Sequence, residues 1–217
     1  MYKYLNILSI GIMLATSPQV KAVLSPNLQK PFYIGLNAGF GSTTWSGLVP
    51  LQENQNVALN ISTPIKVQEG GVVYGAFAGY EFTSYFALEA SYRHYPSARV
   101  TFDAFSLFAF DHEDRTYFDT DTEALNLMAK VMLTIPRSTA RLYSSFGVAE
   151  VHRVDELAKQ WRLGPTFGVG FNVNVTEHFM VDLGFNYTAG YGESELNPAN
   201  AFIPFLYSAA LGLAYRI

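Results

Sequence analysis

From Leu163 to Val175, the residues Leu163, Pro165, Phe167, Val169, Phe171, Val173 and Val175 hold one parity, and Gly164, Thr166, Gly168, Gly170, Asn172 and Asn174 hold the other. Successive side chains of a strand point to opposite faces, so this alternation predicts a strand with one apolar face and one small or polar face. Helical spacing would scatter the same apolar residues around an axis. The scheme returns in Phe205–Ile217, Phe179–Tyr187 and the stretches 123–133 and 85–95. It is weaker in Phe32–Gly41, Val72–Phe82 and Leu142–Glu150. Eight strands are expected.

Their connections alternate in length. Thr83-Ser84, Pro136–Thr139 and Glu177-His178 are tight. The stretches 46–71, 96–121 and 191–204 are longer and polar, and 153–161 is shorter. Short turns at one end and longer loops at the other are what an up-and-down barrel gives. The strands have roughly the 9–11 residues that cross a bilayer when tilted. Polarity then decides which face is outside. Asn, Glu, Asp, Lys and Arg share a face with Gly, Ala and Ser, while the other face is Leu, Val, Ile, Phe, Tyr and Ala. In a soluble barrel the first face would be a poorly solvated exterior. In a membrane barrel it fills a lumen just wide enough for side chains, and the apolar face meets lipid. The expected fold is therefore all-β: an eight-stranded antiparallel up-and-down transmembrane β-barrel with short periplasmic turns and longer extracellular loops. Aromatic placement agrees. Tyr80, Phe82, Phe86, Phe179 and Tyr215 fall near turn ends, and Phe40, Tyr74, Tyr92, Tyr187 and Tyr207 near loop ends, as two interfacial girdles would require.

Composition supports lipid exposure, because charged residues are only 15% of the chain against roughly 25% in soluble domains. A net charge of -4 gives no reason to expect a nucleic-acid partner, and the absence of cysteine excludes disulfides and thiolate metal sites. Leu5–Ala15 is an apolar run of signal-peptide length, followed by Val20-Lys21-Ala22 with small residues at the cleavage positions. A signal peptide over 1–22, removed on Sec-type export, and one barrel domain over 23–217 are expected.

Gly75–Phe82, Phe86–Tyr92 and Ala129-Lys130-Val131 resemble the second, third and fourth strands of the OmpA-type transmembrane domain. Leu213-Ala214-Tyr215-Arg216-Ile217 resembles that family's terminal strand, although it ends in Ile217 where the family usually has Phe. The resemblance implies a structural protein of the bacterial outer membrane, sometimes a small pore or adhesin. It also implies that the C-terminal strand meets the barrel-assembly machinery. No peptidoglycan-binding domain is expected after the last strand. Outer-membrane lipids and lipopolysaccharide are expected around the barrel, a surface ligand at the loops, and a monomeric state.

On the lumen face, Asn37, Glu89, Lys130, Asn172, Asp182 and Gly212 lie at similar depths, with Glu81, Arg93 and Arg216 extending the set. A charge there is costly unless paired, so Lys130 is expected to meet Glu89, Asp182 or both. In the resembling family Glu89 and Lys130 match an interior salt-bridge plug. Its second pair is altered here, with Asn172 and Asp182 where the family has an acid and an arginine. A static packed core is preferred over a switchable ion path. No catalytic residues, cofactor or metal are expected. His94, His112, His152 and His178 stand in loops, turns or strand ends without a recognisable serine motif, and the acids of 111–121 lack calcium-loop spacing. Asn60-Ile61-Ser62 fits a glycosylation sequon that carries no weight in a bacterial chain. Three functions compete: a structural barrel with interacting surface loops, a small and mostly plugged ion channel, and a lipid-modifying enzyme.

Overall fold

The computed structural model describes residues 30–49, 64–190 and 202–217. The expected signal peptide, the sequon and parts of two long loops lie outside them. The described strands are β1 (Phe32–Thr43), β2 (Lys66–Gln68), β3 (Gly71–Thr83), β4 (Phe86–His94), β5 (Ala98–Thr101), β6 (Tyr117–Thr134), β7 (Ala140–Val154), β8 (Lys159–Asn174), β9 (Phe179–Thr188) and β10 (Leu206–Arg216). Eight of them form an antiparallel ring in the order β1, β3, β4, β6, β7, β8, β9, β10. The ring closes where β1 meets β10, from Tyr33 opposite Arg216 to Thr43 opposite Leu206. Closure leaves no sheet edge, so every strand finds its backbone partners inside the ring. Nothing else made of strands is viable in hydrocarbon.

Burial follows the parity of the sequence with the usual sense reversed. Leu36, facing out from β1, is 71% exposed, whereas Arg216, facing in from β10, is 0% exposed. Aromatic contacts mark both rims of the apolar belt. Tyr80 and Phe82 lie 5.0 Å apart and Phe179 and Tyr215 5.4 Å at the turn end, and Tyr187 and Phe205 6.0 Å at the loop end. Amphipathic rings settle at such interfaces.

The loop end departs from expectation. The stretch 96–121 is not an open loop: it holds β5, a single helical turn over Leu107–Asp111 and the first residues of β6. β2 pairs with β5, and β5 with β6, as a small sheet above the ring. The segment 153–161 shrinks to a turn over 155–158, because Asp155 accepts the backbone N–H groups of Leu157 and Ala158 at 2.9 Å each. An aspartate that satisfies the turn in this way lets the hairpin run further before reversing.

Trp45, Leu48, Ala98, Val100, Phe102, Phe108, Phe118 and Phe202 bury one another in an apolar cap over this end. Trp45 lies 4.9 Å from Phe202 and 5.8 Å from Phe118, ring centre to ring centre. Glu69 fixes the Trp45 turn by accepting from Trp45 N at 2.8 Å and Ser46 Oγ at 2.6 Å. The Arg153 guanidinium lies over the indole at 4.6 Å, hydrogen-bonds Phe202 O at 2.8 Å and pairs with Asp155. On the solvent side, Arg99 pairs with Asp119 at 2.7 Å, and those hydrogen bonds hold the Asp119 carboxyl below its ordinary range.

Candidate functional site: the lumen and its two charged layers

Inward positions are odd on β1, β3, β4 and β7 and even on β6, β8, β9 and β10, as the burial patterns show. Odd–even choice on each strand therefore decides which ionisable groups meet inside. They meet in two layers.

Nearer the turn end, Glu81 of β3 receives Arg141 of β7 through two hydrogen bonds, at 2.7 and 3.0 Å, and Arg216 of β10 at 2.5 Å. Each guanidinium is completed by an asparagine of β8, Arg141 by Asn172 at 2.9 Å and Arg216 by Asn174 at 3.0 Å. One carboxylate thus answers two guanidiniums, and all three side chains are buried. Forked guanidinium–carboxylate pairs are the geometry that makes such burial tolerable.

The next layer inverts the ratio. Lys130 of β6 reaches Glu89 of β4 at 2.6 Å and lies 3.8 Å from Asp182 of β9. Two tyrosines complete the acids: Tyr33 donates to Glu89 at 2.9 Å, and Tyr143 donates to Asp182 at 3.0 Å. The Tyr143 ring also lies 4.3 Å from the Lys130 ammonium, a cation–π contact. Both rings need glycine beside them. A Cβ at Gly79 would stand 2.3 Å from the Tyr33 ring, and one at Gly170 would stand 2.3 Å from that of Tyr143. Gly79 and Gly170 are thus seats for the two rings that hydrogen-bond the acids.

Asn37, Arg93 and Asn186 line the same small space as Glu89, Lys130 and Asp182, with room for roughly one water. Asn37 Oδ1, Arg93 Nε and Asp182 Oδ2 are buried there without a protein hydrogen-bond partner. Towards the loop end the ionisable layers give way to an apolar cluster set among the buried hydroxyls of Thr43, Thr122, Thr166 and Thr188. Val73, Tyr95, Ala124, Ala149, Val151, Ile203 and Leu206 pack together below the cap.

Of the residues singled out from sequence, Glu89, Lys130 and Asp182 come together, with Asn37 and Arg93 beside them. Glu81, Arg216 and Asn172 form the separate lower layer. Sequence reasoning missed Arg141, which lies one residue before the weak strand read from Leu142; its parity with Tyr143 and Ser145 was the available signal. It also missed both tyrosines, because a phenol on the lumen side reads like a girdle aromatic until its depth and partner are known.

The histidines fall elsewhere. His94, Glu123 and His152 are paired in register on β4, β6 and β7, with the carboxylate 3.6 and 3.7 Å from the two rings. His152 stacks on Trp161, His178 stacks on Tyr215 and contacts Lys30, and His112 stacks on Phe108. Among the described residues no three His, Asp or Glu side chains are arranged to hold a metal ion.

A closed ring of eight strands, apolar outside and charged inside, defines a transmembrane barrel of the bacterial outer membrane, with its turns periplasmic and its loops extracellular. Residues 8–216 match the family described as outer membrane protein beta-barrel domain, and the chain belongs to that family. Among solved structures it is similar to the outer membrane protein OprG of Pseudomonas aeruginosa, at 14% identity and a TM-score of 0.54, covering 87% of this chain and 98% of that one. Neisserial surface protein A is similar at 13% identity and a TM-score of 0.54, covering 86% and 97%. At these identities the likeness shows the shared fold. No curated protein sequence matches the chain.

Proposed function

We propose that the protein is a structural outer-membrane barrel that carries a preformed binding platform on the cell surface, an adhesin-type role. The cap carries this reading. Three separated parts of the chain, Trp45–Leu48, the region 98–118 and Phe202, bury aromatic rings in one core above the ring of strands. Anchoring in lipid needs no such core. A surface that must present side chains in fixed positions does, because ordering them beforehand lowers the entropic cost of binding.

The lumen supports a static barrel over a small ion channel. An ion would have to pass two layers of paired charge and then the apolar cluster of Val73, Tyr95, Ile203 and Leu206. Among the described residues the histidines pair with Glu123, Trp161, Tyr215, Lys30 and Phe108 and with no serine, which favours the structural reading over the lipid-modifying one. In this reading outer-membrane lipids and lipopolysaccharide surround the apolar belt, β10 is the strand the assembly machinery engages, and the barrel acts as a monomer.

The test is adherence of cells displaying the full chain to cultured epithelial cells, compared with a variant whose residues 103–114 are replaced by a Gly/Ser linker. Adherence should fall with the replacement and survive Lys130→Met. Equal adherence of both variants, or discrete single-channel openings of the refolded parent, would sink the proposal. An impermeant thiol reagent on whole cells should label a cysteine at the exposed Ala104 of the same loop and leave one at Ser138, exposed in a turn, unlabelled.

A further inference from the structure

The loop between β5 and β6 divides its aromatic residues between two directions. Phe102 and Phe108 are buried in the cap core, while Phe105 is 98% exposed and Phe110 84%, with Leu107 exposed beside them. No other large apolar residue among the described ones is as exposed, the lipid-facing belt included. Yet these rings do not belong to that belt. β6 has 18 residues, several more than the roughly 9–11 that cross a bilayer, and the loop begins beyond its loop end. Lipid tails do not cover Phe105 and Phe110 there, and apolar surface held in water without a partner points to an interaction site.

The rings are also held in place. Phe102, Phe108 and His112 stack in a column, each pair with ring centres 4.3 Å apart. Ser106 Oγ accepts Ala109 N at 3.1 Å, and Asp103 Oδ1 accepts Phe105 N at 2.8 Å. Glu113 and Asp114 take left-handed backbone with φ of 55° and 62°, a conformation that non-glycine residues keep only where surrounding contacts impose it. Arg115 ties the end of the loop to Glu156 in the turn between β7 and β8. The same loop carries the exposed carboxylates of Asp103, Asp111, Glu113 and Asp114, and its one arginine, Arg115, is already paired with Glu156.

We propose that this tip docks a cationic amphipathic segment of a partner protein. Its apolar side chains cover Phe105, Leu107 and Phe110, and its lysines or arginines answer the loop's carboxylates. Four acids would repel an anionic lipid or a phosphorylated glycan, so charge selects a basic protein surface over a membrane. The proposal rests on the surface-binding reading above and names the partner's chemistry.

The experiment holds the full chain in phosphatidylcholine nanodiscs and titrates a fluorescent Leu/Lys amphipathic peptide, read by anisotropy above empty nanodiscs. Saturable binding is expected. Phe105→Ser with Phe110→Ser should weaken it by about tenfold or more, as loss of central aromatic anchors does. Neutralising Asp103, Asp111 and Asp114 to Asn should weaken it and flatten its salt dependence. Both sets of residues are exposed, and heat-modifiable gel mobility checks that each variant stays folded. The idea is overturned by no binding at ~100 µM peptide, by equal binding of a Leu/Glu peptide, or by indifference to either variant. Phenylalanine-dependent capture of phosphatidylglycerol vesicles would overturn it in favour of a membrane. If cell adherence needs residues 103–114 and the peptide does not bind, this inference fails while the surface role stands. If the peptide binds and adherence ignores the loop, the surface role fails instead.

Discussion

Glu81 and Trp45 are both almost fully buried, at opposite ends of one barrel, and opposite physics holds them. Glu81 lies where lipid surrounds the strands, and its partners are two guanidiniums. Trp45 lies above the ring of strands, and its partners are Phe118, Phe202 and the flat face of Arg153. Within the membrane the apolar side chains are already used on the outside, since lipid is the solvent there. The inside is then held together by hydrogen bonds and charge, with Phe77, Met128, Met132 and Met180 packed among the charged groups. Above the membrane water returns as the solvent, and the ordinary rule of burying rings returns with it. One chain thus applies both rules, and the change falls near the loop-end girdle.

Breaking the charged end should cost most. Glu81→Leu leaves Arg141 and Arg216 buried together without their carboxylate. The refolded barrel should lose about 5 kcal/mol, the upper part of the range for orphaned buried charges. Urea unfolding in lipid vesicles measures it, and a loss below about 1 kcal/mol would mean that both guanidiniums escape to water.

Trp45→Ala probes the other rule. A large ring removed from a packed core costs about 4 kcal/mol, but here the loss should fall on the cap. Proteolysis of the extracellular loops should accelerate while the barrel's unfolding midpoint holds. A matching drop in that midpoint would show that cap and barrel are one cooperative unit.

Lys130→Met sharpens the comparison within the lumen. Glu89 and Asp182 lose Lys130 but keep the Tyr33 and Tyr143 hydroxyls and the buried Arg93 guanidinium beside them, so the expected loss is smaller, about 3 kcal/mol. Single-channel recordings should stay silent, because the apolar cluster of Val73, Tyr95, Ile203 and Leu206 still closes the path. A reproducible conductance absent from the parent would make the Lys130 layer the gate and revive the channel reading.

The smallest effect belongs to the exposed pair Arg99–Asp119. The arginine's hydrogen bonds lower the Asp119 pKa, so whatever the pair contributes is complete above the ordinary carboxylate range of about 3.9 and is lost as pH falls through the lowered value. Carbon-detected NMR of the Asp119 carboxyl should show a midpoint below that of a free aspartate, and Arg99→Ala should restore the ordinary one. Global unfolding should not change, since solvent screens such a pair.

Period-two alternation in the sequence determined the eight strands, their two faces and the inside-out arrangement, because side-chain direction along a strand is a local property. The lumen position of Glu89, Lys130 and Asp182 was legible for the same reason. Partner choice was not. Whether Lys130 meets Glu89 closely and Asp182 at a distance, and that Glu81 draws in Arg141 and Arg216, depends on strand tilt and register around a closed ring, which set depth between strands far apart in the chain. The cap was hidden altogether. Trp45, Phe108 and Phe202 come from stretches with no sustained alternation, and the alternation of Ala98, Val100 and Phe102 with Arg99, Thr101 and Asp103 is too short to stand out from a polar loop. Only the closed barrel, by bringing its loop ends together over one small mouth, made a single core of them.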